Sequence, residues 1–325
     1  MSDITWQNEY RQSITDVTEL CRLLAIPCRS VHTDYPLLVP RPFADLMERG
    51  NPNDPLLLQV LPQVEENQVA TGFSKDPLDE LAGAQRCAAL NKYAGRTLLL
   101  ASSECGIHCR FCFRRHLPKV PVNPDVETLL ATIRHNTAID EVILSGGDPL
   151  MLDDNALDNL LQSILRIEHV RRIRIHSRLP VVLPNRLTPQ LTEILTLPIP
   201  VYLVLHINHP NELSNGFLER RDLLIKPVVM AQTVLLRRIN NNVETLSRLF
   251  RRLADARILP YYLHQLDQVE GAAHFEVSLQ EGSQIVAELR DQLPGYAVPV
   301  YVREVTGKNC KEIIAVFAPE SRSTG

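Results

Sequence analysis

From Arg96 onward, short apolar runs alternate with amphipathic stretches. The runs at 97–101, 141–144, 172–176, 201–206, 233–236 and 260–264 are short and rich in branched residues, and polar turns bound them, so they predict strands. Between them, 125–135, 156–167, 188–197, 216–224 and 243–256 place apolar residues at helical spacing with a polar opposite face. A strand and a helix recur about every 30 to 40 residues, the rhythm of βα units in a parallel α/β sheet. Six units over about 200 residues fall short of the roughly 250 that an eight-unit closed barrel takes, so a partial (βα)6 barrel is expected. A further helix at 280–293 precedes an apolar alternation at 297–302.

Residues 1 to 90 lack this rhythm. A helical pattern at 14–24 ends near Pro27, and Pro36, Pro40 and Pro42 then interrupt the chain. The stretch 43–49 reads as a helix stopped by Gly50, with the turn-rich Asn51-Pro52-Asn53-Asp54-Pro55 behind it. A short extended link leads on to Tyr93. The expected organisation is a helical and extended arm over 1–92, the partial barrel over 93–295, and a C-terminal strand and tail over 296–325. No solenoid repeat or low-complexity segment interrupts it.

Charge narrows the partners. The chain's 325 residues carry 34 basic and 38 acidic side chains, a balance that gives no electrostatic case for nucleic acid or a membrane surface. No apolar run reaches the roughly 20 residues of a membrane span. Residues 1–10 are polar and lack the apolar core of a signal peptide. Seven cysteines, three of them clustered, suit a reducing cytoplasm better than a disulfide framework. Cys21, Cys28, Cys87 and Cys310 are read as unpaired thiols.

The clustered three carry the chemistry. Cys105-Gly106-Ile107-His108-Cys109-Arg110-Phe111-Cys112 puts three thiols within eight residues, directly after a predicted strand. Three such groups on one loop can converge on a metal centre. A structural zinc ion normally takes four protein ligands in two pairs, and no second pair has the right spacing. An iron–sulfur cluster held by three cysteines keeps one iron open. Arg110, Arg114, Arg115 and His116 nearby are expected to lower the thiol pKa values. Other strand ends are also rich: Ser145-Gly146-Gly147-Asp148-Pro149, His176-Ser177-Arg178, His206-Ile207-Asn208-His209-Pro210, Gln232, and Tyr261-Tyr262-Leu263-His264 leading to Asp267. In parallel α/β folds, ligands gather at such ends. His206 and His209 read better as hydrogen-bonding pocket residues than as metal ligands.

The C-x3-C-x2-C spacing, with a Gly-Gly-Asp-Pro turn one unit later, resembles the radical S-adenosylmethionine enzymes. Cys105 to Arg115, Ser145 to Leu150, His206 to Glu212, Gln232 with Val234-Leu235-Leu236, and Pro260-Tyr261-Tyr262 together resemble the lysine 2,3-aminomutase family over about residues 40 to 305. Tyr261 to His264 and Gly271 to Phe275 are similar to a short bacterial branch that makes (R)-β-lysine for modifying elongation factor P. The resemblance implies a 4Fe–4S cluster on Cys105, Cys109 and Cys112, with S-adenosylmethionine and pyridoxal 5′-phosphate as further cofactors. It implies a 5′-deoxyadenosyl radical that abstracts hydrogen from carbon 3 of L-lysine, after which the amino group moves from carbon 2 to carbon 3. Gly146, Gly147, Asp148, Ser177, Arg178 and Gln232 fall in the S-adenosylmethionine pocket. Arg114 matches the substrate-carboxylate ligand, and Asp267 with Glu304 match the pair that receives the distal ammonium. One arginine and two carboxylates describe a dibasic amino acid; a glutamate-type substrate would be repelled.

Pyridoxal phosphate needs a Schiff-base lysine. Of Lys75, Lys92, Lys119, Lys226, Lys308 and Lys311, an ungapped count from Tyr296 and Pro299 selects Lys311, with Lys308 the alternative. The family's glycines are reduced here to Gly307, and its Thr-Pro after the lysine is replaced by Glu312-Ile313. Tyr93 and Arg96 match contacts to the cofactor phosphate, with Lys92 and His264 nearby. An electron donor such as flavodoxin and a homo-oligomeric state are also expected. Two other readings stay open: an iron–sulfur or zinc protein whose centre is structural or carries electrons, and an aminomutase relative weakened by its altered tail.

Overall fold

The computed structural model describes residues 5–29, 31–80, 89–117, 126–308 and 310–316. A nine-stranded sheet runs in sequence order: β1 (Ala89–Tyr93), β2 (Arg96–Ser102), β3 (Glu141–Gly146), β4 (Arg172–Ser177), β5 (Val201–His206), β6 (Val228–Val234), β7 (Leu259–His264), β8 (Val300–Arg303) and β9 (Glu312–Ile313). Strands β2 to β8 are mutually parallel, while β1 and β9 add antiparallel edges to β2 and β8. The two ends of this order do not pair, so the barrel is open, as the unit count predicts.

Helices fill the crossovers: α4 (Val126–His135), α5 (Asp154–Leu165), α6 (Leu179–Val182) with α7 (Pro189–Ile194), α8 (Asn215–Arg221), α9 (Val243–Asp255) and α10 (Leu279–Gln292). Ahead of them, the arm carries α1 (Trp6–Arg11), α2 (Val17–Leu24) and α3 (Arg41–Ala44). Asp153, Thr188, Ser214, Asn242 and Ser278 cap α5, α7, α8, α9 and α10 through side-chain oxygens, which explains where each helix begins. In β4, Ile173, Ile175 and Ser177 are buried while Arg172, Arg174 and His176 are half-buried, a period of two that puts the polar set on the other face.

Three expectations need correction. The helix predicted at 43–49 is α3 alone; Pro40 starts it, and the chain then turns until Gly50, at φ +78°, donates its N–H to Leu24. The strand predicted at 233–236 is β6, which begins five residues earlier. Beyond its end, Leu235 N–H goes to the His264 carbonyl and Leu236 N–H to Asn240 Oδ1, so the apolar run leaves the ladder. The link into Tyr93 is itself strand β1.

The arm is stitched to the sheet. Ile14 and Val39 exchange backbone bonds. Farther along, Ser74 N–H donates to Gln268 O at 3.0 Å, Glu270 N–H to Ser74 O at 2.9 Å, and Thr306 Oγ1 to Pro77 O at 3.0 Å. Residues 74–80 are thereby laid over the loops that follow β7 and β8.

Candidate active site

The cysteine loop leaves the C-terminal end of β2 and is held mostly by the arm. Tyr10 donates its hydroxyl to the Cys105 carbonyl at 3.1 Å, His108 N–H donates to Leu38 O at 3.0 Å, and Arg110 N–H to Gln59 O at 2.9 Å. Arg110 is fully buried. Its guanidinium donates to Glu66 (Nε, 2.8 Å), the Tyr35 carbonyl (2.7 Å) and Thr33 Oγ1 (2.9 Å). Arg115 joins the same carboxylate at 2.6 Å, and both guanidiniums lie about 5 Å from the Tyr35 ring (5.0 and 4.9 Å). Burial alone would raise the Glu66 pKa, but the two guanidiniums outweigh it and hold the carboxyl below its ordinary range.

This corrects the role expected of the flanking cations. Arg110 and Arg115 are engaged by Glu66, and His116 Nε2 lies 3.0 Å from the Glu270 carbonyl. The thiols shift upward instead. Burial, then the neighbouring thiols, pushes Cys112 to about 11 and Cys105 well above its usual value. At Cys109 burial outweighs Arg178, whose Nη1 is 2.8 Å from Sγ. Among the described residues no three His, Cys, Asp or Glu side chains converge as ligands of a single ion would. Three half-buried, mutually interacting thiols are soft donors whose ionisation awaits positive charge, a set that fits a multi-atom iron–sulfur group better than one bare ion.

The turn after β3 carries the loop from below. Gly147 N–H donates to Ser102 O and Asp148 N–H to Glu104 O, both at 2.7 Å. A Cβ on Gly146 would overlap the Ser102 carbonyl, and one on Gly147 the Glu104 carbonyl. These glycines bring β3 against the cysteine loop's backbone, whereas the sequence suggested close approach to a ligand. Asp148 is buried and accepts from Leu150 N–H (3.0 Å), Ser177 Oγ (2.7 Å), Arg178 N–H (2.7 Å) and Leu179 N–H (2.8 Å). Burial raises its pKa, offset in part by those bonds. It ties the end of β3 to the end of β4.

Arg178 then reaches across. Beyond Cys109 it donates to Gln59 Oε1 at 2.6 Å and Glu212 Oε2 at 3.0 Å. Glu212 also accepts the N–H groups of Asn208 and His209, and Gln59 bonds Asn208 as well. A buried network thus links the arm, the cysteine loop and the ends of β4 and β5. Gln59 and Glu66 went unnoticed in the sequence because they lie in short 3-10 turns with no motif, and Glu212, although inside the motif that begins at His206, was given no role there; their partners are set only by the fold.

Inside the barrel, His176 of β4, His206 of β5 and His264 of β7 act on one another. Burial comes first, then nearby cations, in holding all three well below the usual imidazole value. They are neutral. Lys311 bears on His176 and His264, Arg114 also bears on His176, and Lys311 Nζ lies 5.9 Å from the Tyr262 ring centroid and pairs with Glu304. Lys308 points elsewhere, half-exposed and paired with Glu312 at 2.8 Å. Arg96 and Arg174 both act on Tyr262. Gln232 stands in register between His206 and Tyr262. Asp267, half-buried, follows β7, while Glu304 follows β8, its neighbour. The side chains of Tyr93 and Lys92, and Lys119, lie outside the described residues.

The Nε2 atoms of His176 and His264 are buried with no hydrogen-bond partner among the described residues. Orphaned polar atoms beside a lysine and arginines fit a polar, anionic group such as pyridoxal phosphate. Arg114 is already occupied: it pairs with Glu80 (Nε to Oε2, 2.7 Å) and donates to Ser145 Oγ at 2.8 Å.

No family model matches the chain. It is 43% identical over 319 residues to L-lysine 2,3-aminomutase of Escherichia coli, covering 94% of this chain and 93% of that one. It is 39% identical over 322 residues to L-lysine 2,3-aminomutase of Haemophilus influenzae, covering 95% of each. A solved radical SAM methyltransferase from Sphaerobacter thermophilus superposes with a TM-score of 0.49 at 16% identity, over 66% of this chain and 68% of that one. With identity at that level spread over nearly the whole of both chains, this protein belongs to the L-lysine 2,3-aminomutase family.

Proposed function

We propose that the protein is a radical S-adenosylmethionine, pyridoxal phosphate-dependent L-lysine 2,3-aminomutase that converts L-α-lysine into (R)-β-lysine. One observation carries this reading: His176, whose Nε2 is buried without a partner among the described residues, feels both Arg114, two residues past the last loop cysteine, and Lys311, which lies 5.9 Å from the Tyr262 ring of β7. The two halves of the chemistry therefore meet in one barrel.

Cys105, Cys109 and Cys112 would hold the 4Fe–4S cluster, and Lys311 would anchor pyridoxal phosphate with Arg96 and Tyr93 toward its phosphate. When bound, these cofactors and S-adenosylmethionine supply radical initiation and the carrier for the migrating amine. The chain's own task is placement. Arg178 donates to Cys109 Sγ and braces the loop. Gly146, Gly147, Asp148 and Ser177 fix the turn beside it, and with Gln232 form the nucleotide side of the pocket. Glu304 holds the Lys311 ammonium until the cofactor arrives, then joins Asp267 in receiving the substrate's distal ammonium. Arg114 takes its carboxylate at the other end. Neutral imidazoles add no charge between them.

In this reading the arm of residues 1–92 secures the cysteine loop, residues 93–295 form the catalytic barrel, and residues 296–325 deliver the lysine. Among the described residues no helix is long and apolar enough to cross a membrane. A cytoplasmic setting, an electron donor such as flavodoxin, a homo-oligomer and a product destined for elongation factor P complete the proposal; its last part rests on the resemblance of Tyr261 to His264 and Gly271 to Phe275 to the short bacterial branch. The test is anaerobic reconstitution with iron, sulfide and pyridoxal phosphate, then incubation with L-lysine, S-adenosylmethionine and reductant. Formation of β-lysine supports the reading. A colourless zinc protein, or a cluster without pyridoxal absorbance, would overturn it.

A further inference from the structure

We propose that Glu80 is an internal competitor for the substrate: it occupies the substrate carboxylate's place on Arg114 and leaves when the substrate arrives. This rests on the reading of Arg114 as the carboxylate ligand. A guanidinium has five N–H donors. Arg114 gives Nε to Glu80 Oε2 (2.7 Å), one Nη2 hydrogen to Glu80 Oε1 (3.3 Å), and Nη1 to Ser145 Oγ (2.8 Å) and Gly146 O (3.2 Å). Four of the five are committed, and a single remaining N–H cannot hold a carboxylate by two parallel bonds. The Nη1 contacts belong to the turn that seats the cysteine loop. The Glu80 contacts belong to something else.

Glu80 lies on the strap that includes residues 74–80 and crosses the loops after β7 and β8, pinned at Ser74 and Pro77. Its side chain is 3% exposed and that of Arg114 12%, so the pair is buried in the site, where an amino acid's carboxylate would have the same charge and the same planar geometry. Directly before it, Asp79 holds a left-handed φ of +53°, a conformation that a non-glycine residue adopts only at a cost. Exchange of one carboxylate for another keeps Arg114 paired throughout. A ligand without a carboxylate has nothing to exchange. Glu80 thus sets a threshold that only carboxylate-bearing ligands must overcome, weakening amino-acid binding and leaving simple diamines untouched.

The experiment uses holoenzyme loaded with cluster, S-adenosylmethionine and pyridoxal phosphate but left unreduced, so that no turnover occurs. L-Lysine and cadaverine, which is lysine without its carboxylate, are titrated calorimetrically into native and Glu80→Gln protein. If the closed pair is populated nine times in ten, removing it tightens L-lysine binding about tenfold, because affinity scales with the competent fraction. Cadaverine binding stays within about twofold. On the native enzyme, saturating L-lysine, unlike cadaverine, speeds amide exchange at Ser74 and Glu80, a readout independent of whether the variant folds. Equal or weaker L-lysine binding by the variant, or a strap whose exchange ignores L-lysine, overturns the inference and leaves the aminomutase reading intact. Failure of native holoenzyme to bind L-lysine overturns both.

Discussion

Cys109 shows how a side chain's surroundings set its use. It is half-buried, its Sγ faces Arg178, and its thiol rises rather than falls in pKa, so only incoming positive charge makes it a good ligand. Replacing Cys105, Cys109 or Cys112 by Ala should abolish iron–sulfur absorbance, whereas Cys21→Ala or Cys28→Ala should spare it; a fully active Cys109→Ala enzyme would sink the cluster assignment. Lys311 and Lys308 are three residues apart yet lie in different places, the first against Glu304 and Tyr262, the second at the surface. Borohydride reduction of holoenzyme and peptide mapping should find the phosphopyridoxyl group on Lys311, and its appearance on Lys308 would refute the assignment. At the far end of the pocket, Asp267→Asn should cost about 2 to 5 kcal/mol in catalytic efficiency with lysine. Cluster and pyridoxal content should stay intact. A variant that handles lysine as well as the native enzyme does would contradict the dibasic pocket.

Elements place these residues through backbone fit. The turn after β3 reaches the cysteine loop only because position 147 has no Cβ to strike the Glu104 carbonyl. Gly147→Ala must push backbone apart, a change on the scale of about 1 to 3 kcal/mol, and should displace the loop. Reconstituted iron content should fall well below native. Gly295, with open space around it, supplies the control: Gly295→Ala should leave iron content unchanged, and equal loss in both variants would refute the argument.

At the scale of the whole molecule, buried neutral imidazoles tie stability to pH. His209 and His274 are each held at about 4 by burial, which Arg248 reinforces at His209 and which the Glu66 and Glu65 carboxylates oppose in part at His274. His209 Nδ1 accepts the Asn211 N–H at 3.2 Å, a bond that protonation removes. The unfolded chain takes up these protons near pH 6.5, so the stabilisation is complete above that value and is lost as pH falls toward 4. By pH 5 the loss should reach about 2 kcal/mol for each. Glu66, held below its ordinary range, adds a further loss at lower pH still, as its carboxylate takes a proton and releases Arg110 and Arg115. Urea unfolding at pH 7.5 and pH 5 should therefore show a smaller drop for His209→Gln than for the native protein; identical drops would disprove this source of the pH dependence.

The order of strands and helices was written in the sequence, because period-two and helical patterns are local properties that each segment carries alone. So was the cysteine loop, three like residues on one turn. The resemblance, resting on short motifs, pointed to Lys311 over Lys308; the fold sets the first against Glu304 and Tyr262 and leaves the second at the surface. Only the tertiary structure paired Glu80 with Arg114, gathered Gln59, Glu66 and Glu212 around the loop, and set the glycines against backbone instead of ligand. Those contacts join residues 31 to 153 positions apart, as Arg114 with Gly147's turn or Gln59 with Glu212, and no local pattern encodes a partner at that range. Burial decided the rest. A thiol or an imidazole has its ordinary pKa in the sequence, and loses it only when the folded chain takes its water away.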